Sequence, residues 1–345
     1  MGRMNALRIV KPGQTEFVEV DVPEPGPTDV TLRLGVVGLC GTDLNTFRGV
    51  NPLVQYPLIP GHEIGAVIAS VGSEVPERWK PDMEVLVLPY TNCGCCTACR
   101  QGRRNCCRGN KTLGVQRHGA MSEYVTLPCD TLYTSATLSM REMALVEPLT
   151  IGHHAVSRGQ VKPGNKVAVF GCGPIGLGAI ASSSYRGAEV IAVDVNDGKL
   201  ELAAACGASK GINSVAEDLH DALQSLTDGD GPDVIIEAVG NPRTYRAAVE
   251  EVCFAGRVVY IGYAKVPVDY ESSLFVLKEL DILGSRNALP GDFDDVIGML
   301  ESAAVPVDCI ISRTVPFEEV GEALRQWDED PASVTKIQVK FPAAG

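Results

Sequence analysis

The stretch Val167-Ala168-Val169-Phe170-Gly171-Cys172-Gly173-Pro174-Ile175-Gly176 decides how this chain is read. An apolar, strand-forming run meets three glycines spaced G-x-G-x-x-G, and a helical pattern follows to Tyr185. In that context Gly171 allows a tight turn, Gly173 lets backbone approach a pyrophosphate, and Gly176 lets helix pack on strand. Pro174 and Ile175 open the helix whose positive end would face the phosphate. About 20 residues beyond the glycines, the strand Glu189 to Asp194 ends in a carboxylate placed to bond an adenosine ribose diol. Val195 and Asn196 follow, and neither is the arginine that a 2′-phosphate would need, so the expected cofactor is NAD. Lys199, opening the next helical run, completes the expected cofactor-binding set.

Outward from that motif the texture differs on the two sides. C-terminal to Gly164, apolar strands (Lys166 to Phe170, Glu189 to Asp194, Asp233 to Ala238, Arg257 to Ile261, Asp281 to Gly284) alternate with helical runs (Ile175 to Tyr185, Lys199 to Cys206), the rhythm of a parallel sheet. N-terminal to it, short segments broken by Gly and Pro predict a β-rich domain: Leu7 to Val10, Phe17 to Val22, Val30 to Val37, Gly65 to Val71, Glu84 to Leu88 and Glu123 to Leu127. A helix near Phe293 to Ser302 and strands at Cys309 to Thr314 and Ile337 to Phe341 close the chain. With 345 residues, two domains are expected, since single cores stop growing near about 250 to 300 residues.

A formal net charge of −13 repels phosphate backbones and anionic lipid, which argues against nucleic acid or membrane partners. No run approaches the roughly 20 apolar residues of a membrane span, and the first residues are too short and polar for a signal sequence, so a cytoplasmic location is expected. Of 12 cysteines, half crowd into one lobe: Cys93, Cys95, Cys96, Cys99, Cys106 and Cys107. In a large chain without an export signal that density means metal rather than disulfides. The set Cys93, Cys96, Cys99 and Cys107 gives a four-thiolate structural zinc site, with Cys106 the competitor for the last position. A second set is scattered: Cys40 in Gly38-Leu39-Cys40-Gly41-Thr42-Asp43, His62-Glu63 after Gly61, and Glu147 before Pro148. One Cys, one His and one carboxylate suit a catalytic zinc with an open position.

Together these motifs resemble the medium-chain zinc alcohol and polyol dehydrogenases along essentially the whole chain. The resemblance implies Cys40, His62 and Glu147 as catalytic zinc ligands, with Glu63 beside the metal, and two zinc ions per subunit. It implies a GroES-like β-rich catalytic domain, residues 1–152 with a return at 290–345, around a doubly wound Rossmann domain at 153–289. It also implies a homo-oligomer, dimer or tetramer. Gly284-Ser285-Arg286-Asn287-Ala288, with Asp292-Phe293 and Asn105-Cys106-Cys107, is similar to dehydrogenases of L-galactonate or L-gulonate acting at carbon 5. L-Threonine and sugar-alcohol dehydrogenases are the runner-up, and a non-catalytic binding module is the alternative outside enzymes. Where the family places a histidine after Cys-Gly-Thr-Asp, this chain has Asn45, which cannot relay a proton.

Within that reading zinc lowers the pKa of the substrate hydroxyl, hydride leaves for the nicotinamide, and Thr42 is placed to take the alcohol proton. Arg286 with Asn287 would hold a substrate carboxylate or, for Arg286, a cofactor phosphate. His118 lines the pocket or sits on a surface loop. His153 and His154 open an interdomain helix and read as structural, and His220 lies on a solvated acidic helix.

Overall fold

The computed structural model describes residues 2–342. The chain divides into two compact units, Met1–Glu147 with Ile310–Gly345, and Pro148–Cys309.

The first unit holds a seven-stranded sheet and a two-stranded hairpin. The long strand Asp29–Leu39 is its axis, pairing antiparallel with Glu63–Val71, Tyr124–Pro128 and Lys336–Lys340. Ile311–Pro316 runs parallel to Lys336–Lys340, and Glu84–Val87 and Leu132–Tyr133 extend the far edge. Apolar side chains from these strands, among them Leu32, Leu34, Ile64, Ile68, Val85 and Val339, make a single core. Register decides what meets at one end of the sheet. Gly38 lies opposite Glu63 and Leu39 opposite Ile337, so Cys40, Glu63 and Lys336 come together although they are far apart in sequence.

The second unit is a six-stranded parallel sheet in the order Lys210–Asn213, Glu189–Asp194, Lys166–Phe170, Val234–Glu237, Arg257–Tyr260, Asp281–Gly284. Its central strands read as unbroken apolar runs because helices cover both faces, and Val167 to Phe170 are almost entirely buried. The chain reverses its direction of winding between Lys166–Phe170 and Val234–Glu237, and in such sheets the carboxyl ends at the reversal form the ligand crevice.

The strands expected at Lys166 to Phe170, Glu189 to Asp194 and Asp281 to Gly284 appear with those bounds. Most other expected strands shift by a few residues at their ends, and two differences bear on the division into units. The helix carrying His153 and His154 starts at Met140, not at 153, capped by Ser139 and Glu142 and running through Pro148 to Arg158. The helix Pro290–Glu301, expected to begin the catalytic return, belongs to the second unit, where its Asp292 takes the Nδ1 of His154 at 2.8 Å and Phe293 is fully buried. The return therefore starts at Ile310. His153 is likewise held, by Ser182 and Asp295, while His220 is exposed against Glu251. Elements without an expectation from sequence include the strand Lys210–Asn213 and the helices Gly41–Phe47, Pro242–Glu251 and Val320–Glu329.

Candidate metal centres and dinucleotide site

Four of the clustered cysteines form one group. The sulfurs of Cys93, Cys96, Cys99 and Cys107 all lie within 4.8 Å of one another, with Cys96 to Cys99 at 3.5 Å and Cys96 to Cys107 at 4.0 Å. A tetrahedral zinc with Zn–S near 2.3 Å separates its sulfurs by roughly 3.8 Å, so the donor set fits that ion. Cys106 stands outside the group, near Arg103, and Cys95 lies 3.8 Å from Cys93. Backbone N–H groups of Cys95 and Cys96 lower the Cys93 thiol to about 6, whereas burial and then the neighbouring thiols push Cys99 up to about 12.

The second centre is assembled by loops rather than by spacing. Cys40 caps the short helix Gly41–Phe47, and the buried Asp43 one turn along clamps two loops at once. One of its oxygens accepts from the Cys40 N–H at 2.9 Å, the other from the Gly61 N–H at 3.1 Å, which brings His62 to Cys40. Donor atoms of Cys40, His62 and Glu63 lie within 4.8 Å of one another. Glu63 is fully buried, with Lys336 Nζ 2.5 and 2.7 Å from its two oxygens. It fits there because Gly38 faces it: a Cβ at position 38 would stand 1.9 Å from a Glu63 oxygen.

Glu147 lies outside this compact group of three. It is buried and accepts from the Tyr90 hydroxyl. Burial raises its pKa and that of Asp43, with His62 opposing in both cases. Burial alone would lower His62, but Cys40, Asp43 and Glu147 lift it well above the ordinary histidine value. Among the described residues the His62 Nδ1 has no hydrogen-bond partner. Several acidic groups thus surround one histidine, with Lys336 the neighbouring ammonium. That gathering of buried acidic groups, with an orphaned imidazole nitrogen beside it, is an environment a divalent cation would stabilise.

In the second unit Gly171 takes φ +92°, and a Cβ there would meet Val239 at 2.7 Å. Gly173 caps the helix Pro174–Tyr185 with open space where a side chain would be, and a Cβ on Gly176 would stand 1.8 Å from the Gly171 carbonyl. Open N–H groups at a helix start fit a pyrophosphate. Asp194 Oδ2 accepts from Cys172 N–H at 2.7 Å, tying the end of its strand to the glycine loop. Burial, then Asp194, raises the Cys172 thiol to about 12, with Lys199 opposing.

Residues 26–137 match the alcohol dehydrogenase GroES-like domain, and residues 174–302 match the zinc-binding dehydrogenase model. The chain is 32% identical over 322 residues to the L-galactonate-5-dehydrogenase of Escherichia coli K12, covering 93% of this chain and 94% of that one. The chain belongs to the zinc-type alcohol dehydrogenases. The L-threonine 3-dehydrogenase of Pyrococcus horikoshii is 33% identical over 336 residues, covering 94% of this chain and 96% of that one. A solved structure from E. coli CFT073, described as the short chain alcohol dehydrogenase rspB complexed with NADH, superposes with TM-score 0.92 at 30% identity, covering 99% of this chain and 100% of that one. As a member of the family the chain is an NAD-dependent dehydrogenase with a GroES-like domain and a Rossmann-type parallel sheet.

Three residues of the dehydrogenase's metal-holding unit went unassigned in the sequence reading. Asp43 carries a local signal, since an acid three residues after the cap marks a helix start. Tyr90 and Lys336 give no local signal. Thr42, which the sequence reading makes the proton acceptor, is half-buried on the helix Gly41–Phe47, as is Asn45. His118 is fixed, its Nδ1 accepting from the Ile59 N–H at 3.2 Å beside the loop that leads to His62. Arg286 is exposed and Asn287 takes φ +49°, on the turn leaving the strand Asp281–Gly284. Among the described residues no helix is long and apolar enough to cross a membrane.

Proposed function

We propose that this dehydrogenase oxidises a secondary hydroxyl of a sugar acid of the L-gulonate or L-galactonate type, at carbon 5. The carrying observation is the buried convergence of Cys40, His62 and Glu63, with Glu147 beside them, in a chain that also bears the NAD loop. When bound, zinc polarises the substrate hydroxyl and NAD accepts the hydride. The chain's own residues do the rest. Cys40, His62 and one carboxylate, Glu147 or Glu63, hold the metal, and Cys93, Cys96, Cys99 and Cys107 hold the structural ion. Lys336 holds Glu63 in place, and Asp43 sets the distance between Cys40 and His62. Thr42 takes the alcohol proton toward solvent, while Asn45 cannot extend the relay. Gly171, Gly173, Pro174, Ile175 and Gly176 receive the pyrophosphate, with Asp194 and Lys199 on the adenosine side. Arg286 and Asn287 reach substrate carboxylate or cofactor phosphate, and His118 borders the substrate.

The substrate class is supported by the E. coli L-galactonate-5-dehydrogenase likeness. The second reading, an L-threonine or sugar-alcohol dehydrogenase, is supported by the equally similar P. horikoshii protein. An NAD-coupled screen of aldonates, polyols and threonine, with products identified, separates them. Faster turnover of threonine or neutral polyols would defeat the sugar-acid reading, and no NAD reduction at all would return the binding-module alternative. We also propose a homo-oligomer, dimer or tetramer. The exposed edge strand Asp281–Gly284, with Ile282, Val276 and Leu277 open to solvent, supports it. Light scattering of the purified protein tests it, and a monomer would refute it.

A further inference from the structure

In a chain with 43 acidic residues against 30 basic ones, an arginine without a carboxylate needs a reason. Arg117 is such a residue. Its Nε is buried with no hydrogen-bond partner, and among the described residues its guanidinium makes one hydrogen bond, from Nη2 to the Pro89 carbonyl at 3.3 Å. A guanidinium offers five donors, and here the Nε donor is taken out of water without a partner, which costs free energy. Burial pushes Arg117 below the usual arginine value, as expected of a cation whose counter-charge has still to arrive.

Its place in the fold says which anion. Pro89 precedes Tyr90, whose hydroxyl bonds Glu147 at the metal centre. On the other side of Arg117, His118 Nδ1 accepts from the Ile59 N–H, and the N–H groups of Gly119 and Ala120 donate to the carbonyls of Ile59 and Gly61. Arg117 therefore stands where the segment from Pro89 and the loop ending in His62 are tied together. Arg8 is a second arginine with a buried, unpartnered Nε, and after burial it is the charge that disfavours protonation of His118. Two cations without acidic partners among the described residues thus border the metal loops, inside a strongly acidic protein.

We propose that Arg117 receives the carboxylate of the substrate, with Arg8 adding positive potential near His118. This rests on the sugar-acid reading above, and it leaves Arg286 to the cofactor phosphate. The buried Nε is closed to a ligand, so the terminal nitrogens of Arg117 would take the carboxylate, and a charged hydrogen bond of this kind is worth roughly ten- to a hundredfold in affinity.

The test measures kcat and KM of the zinc-loaded enzyme for L-gulonate and L-galactonate against sorbitol and galactitol, the same carbon skeletons with the carboxylate reduced. NADH affinity is followed by fluorescence, and folding by circular dichroism. Arg117→Met is expected to raise KM for the acids roughly ten- to a hundredfold while leaving the polyols and NADH binding unchanged. Should that variant fail to fold, Arg117→Gln, which keeps a donor for the Pro89 carbonyl, is read in the same way. If the unmutated enzyme prefers acids and the Arg117 variants leave that preference intact, or damage acids and polyols alike, the assignment falls while the sugar-acid reading stands. The same holds if Arg286→Ala is the change that abolishes acid preference. An unmutated enzyme that prefers polyols overturns both.

Discussion

In the unit that holds the metal donors, Cys40, Asp43, His62, Glu63, Glu147 and Lys336 lie in one largely buried region, and burial opposes the charge of most of them. In the dinucleotide unit the working parts of the Gly171–Gly176 loop are main-chain N–H groups and the space left by absent side chains. The first arrangement gathers buried ionisable groups that a bound cation would compensate; the second works through backbone groups and open space that are complete as folded. Damage to the first should therefore reach both chemistry and stability, whereas damage to the second should change which ligand binds.

The largest effect is expected from Cys40→Ala. Losing a donor at the open metal site should cut turnover on the order of a thousandfold or more while NADH affinity, read by fluorescence, stays near its original value. Near-normal turnover would break the comparison at its first term. Cys99→Ser strikes the closed site, which has no position for substrate. It should lower bound zinc from two ions to one and drop the melting temperature before it touches the chemistry of what remains folded. A fully stable, zinc-replete variant would show that this lobe is not a metal site.

Lys336→Met sharpens the same contrast. It removes the ammonium from a fully buried carboxylate, a change that costs about 3 to 5 kcal/mol when nothing replaces the partner. Bound zinc can supply part of the missing positive charge. Denaturant unfolding should therefore show a larger loss in chelator-stripped protein than in zinc-loaded protein. Equal losses in both forms would mean that Glu63 does not sense the metal.

The two regions also differed in how far sequence revealed them. The glycine loop and Asp194 were legible because a backbone site is a contiguous motif with a strand before it and a helix after it. The four-cysteine lobe was legible for the same local reason, although spacing alone left Cys106 as a rival. At the open centre the ligand types could be named, but not the arrangement. Lys336 meets Glu63 through sheet register across 273 residues, and no local pattern marks a lysine whose partner lies that far away. The grouping of Glu63 with Cys40 and His62, while Glu147 turns to Tyr90, is set by that ion pair and by the glycine at 38. The boundary at 290 was misplaced because contacts such as His154 to Asp292 decide unit membership, and these are invisible to composition.

The smallest effect is expected at Asp194, and it tests whether the dinucleotide unit works through backbone alone. The carboxylate is already busy: Oδ2 takes the Cys172 N–H, and Oδ1 takes those of Val195 and Asn196 at 2.8 and 3.1 Å. A carboxylate has about four acceptor positions, so three internal bonds leave capacity for a ribose hydroxyl. Asp194→Ala removes that acceptor, the tie to the glycine loop and the negative charge that repels a 2′-phosphate. NADH should weaken roughly tenfold, about 1.4 kcal/mol, while NADPH weakens less, so the ratio of the two dissociation constants narrows. Asp194→Asn separates the causes, because it keeps one acceptor oxygen for the loop and loses the charge. If both variants weaken NADH and NADPH by the same factor, Asp194 acts only as a strut for the glycine loop, and cofactor choice resides elsewhere. If the ratio narrows in both, one side chain selects the cofactor in a site otherwise built from main chain.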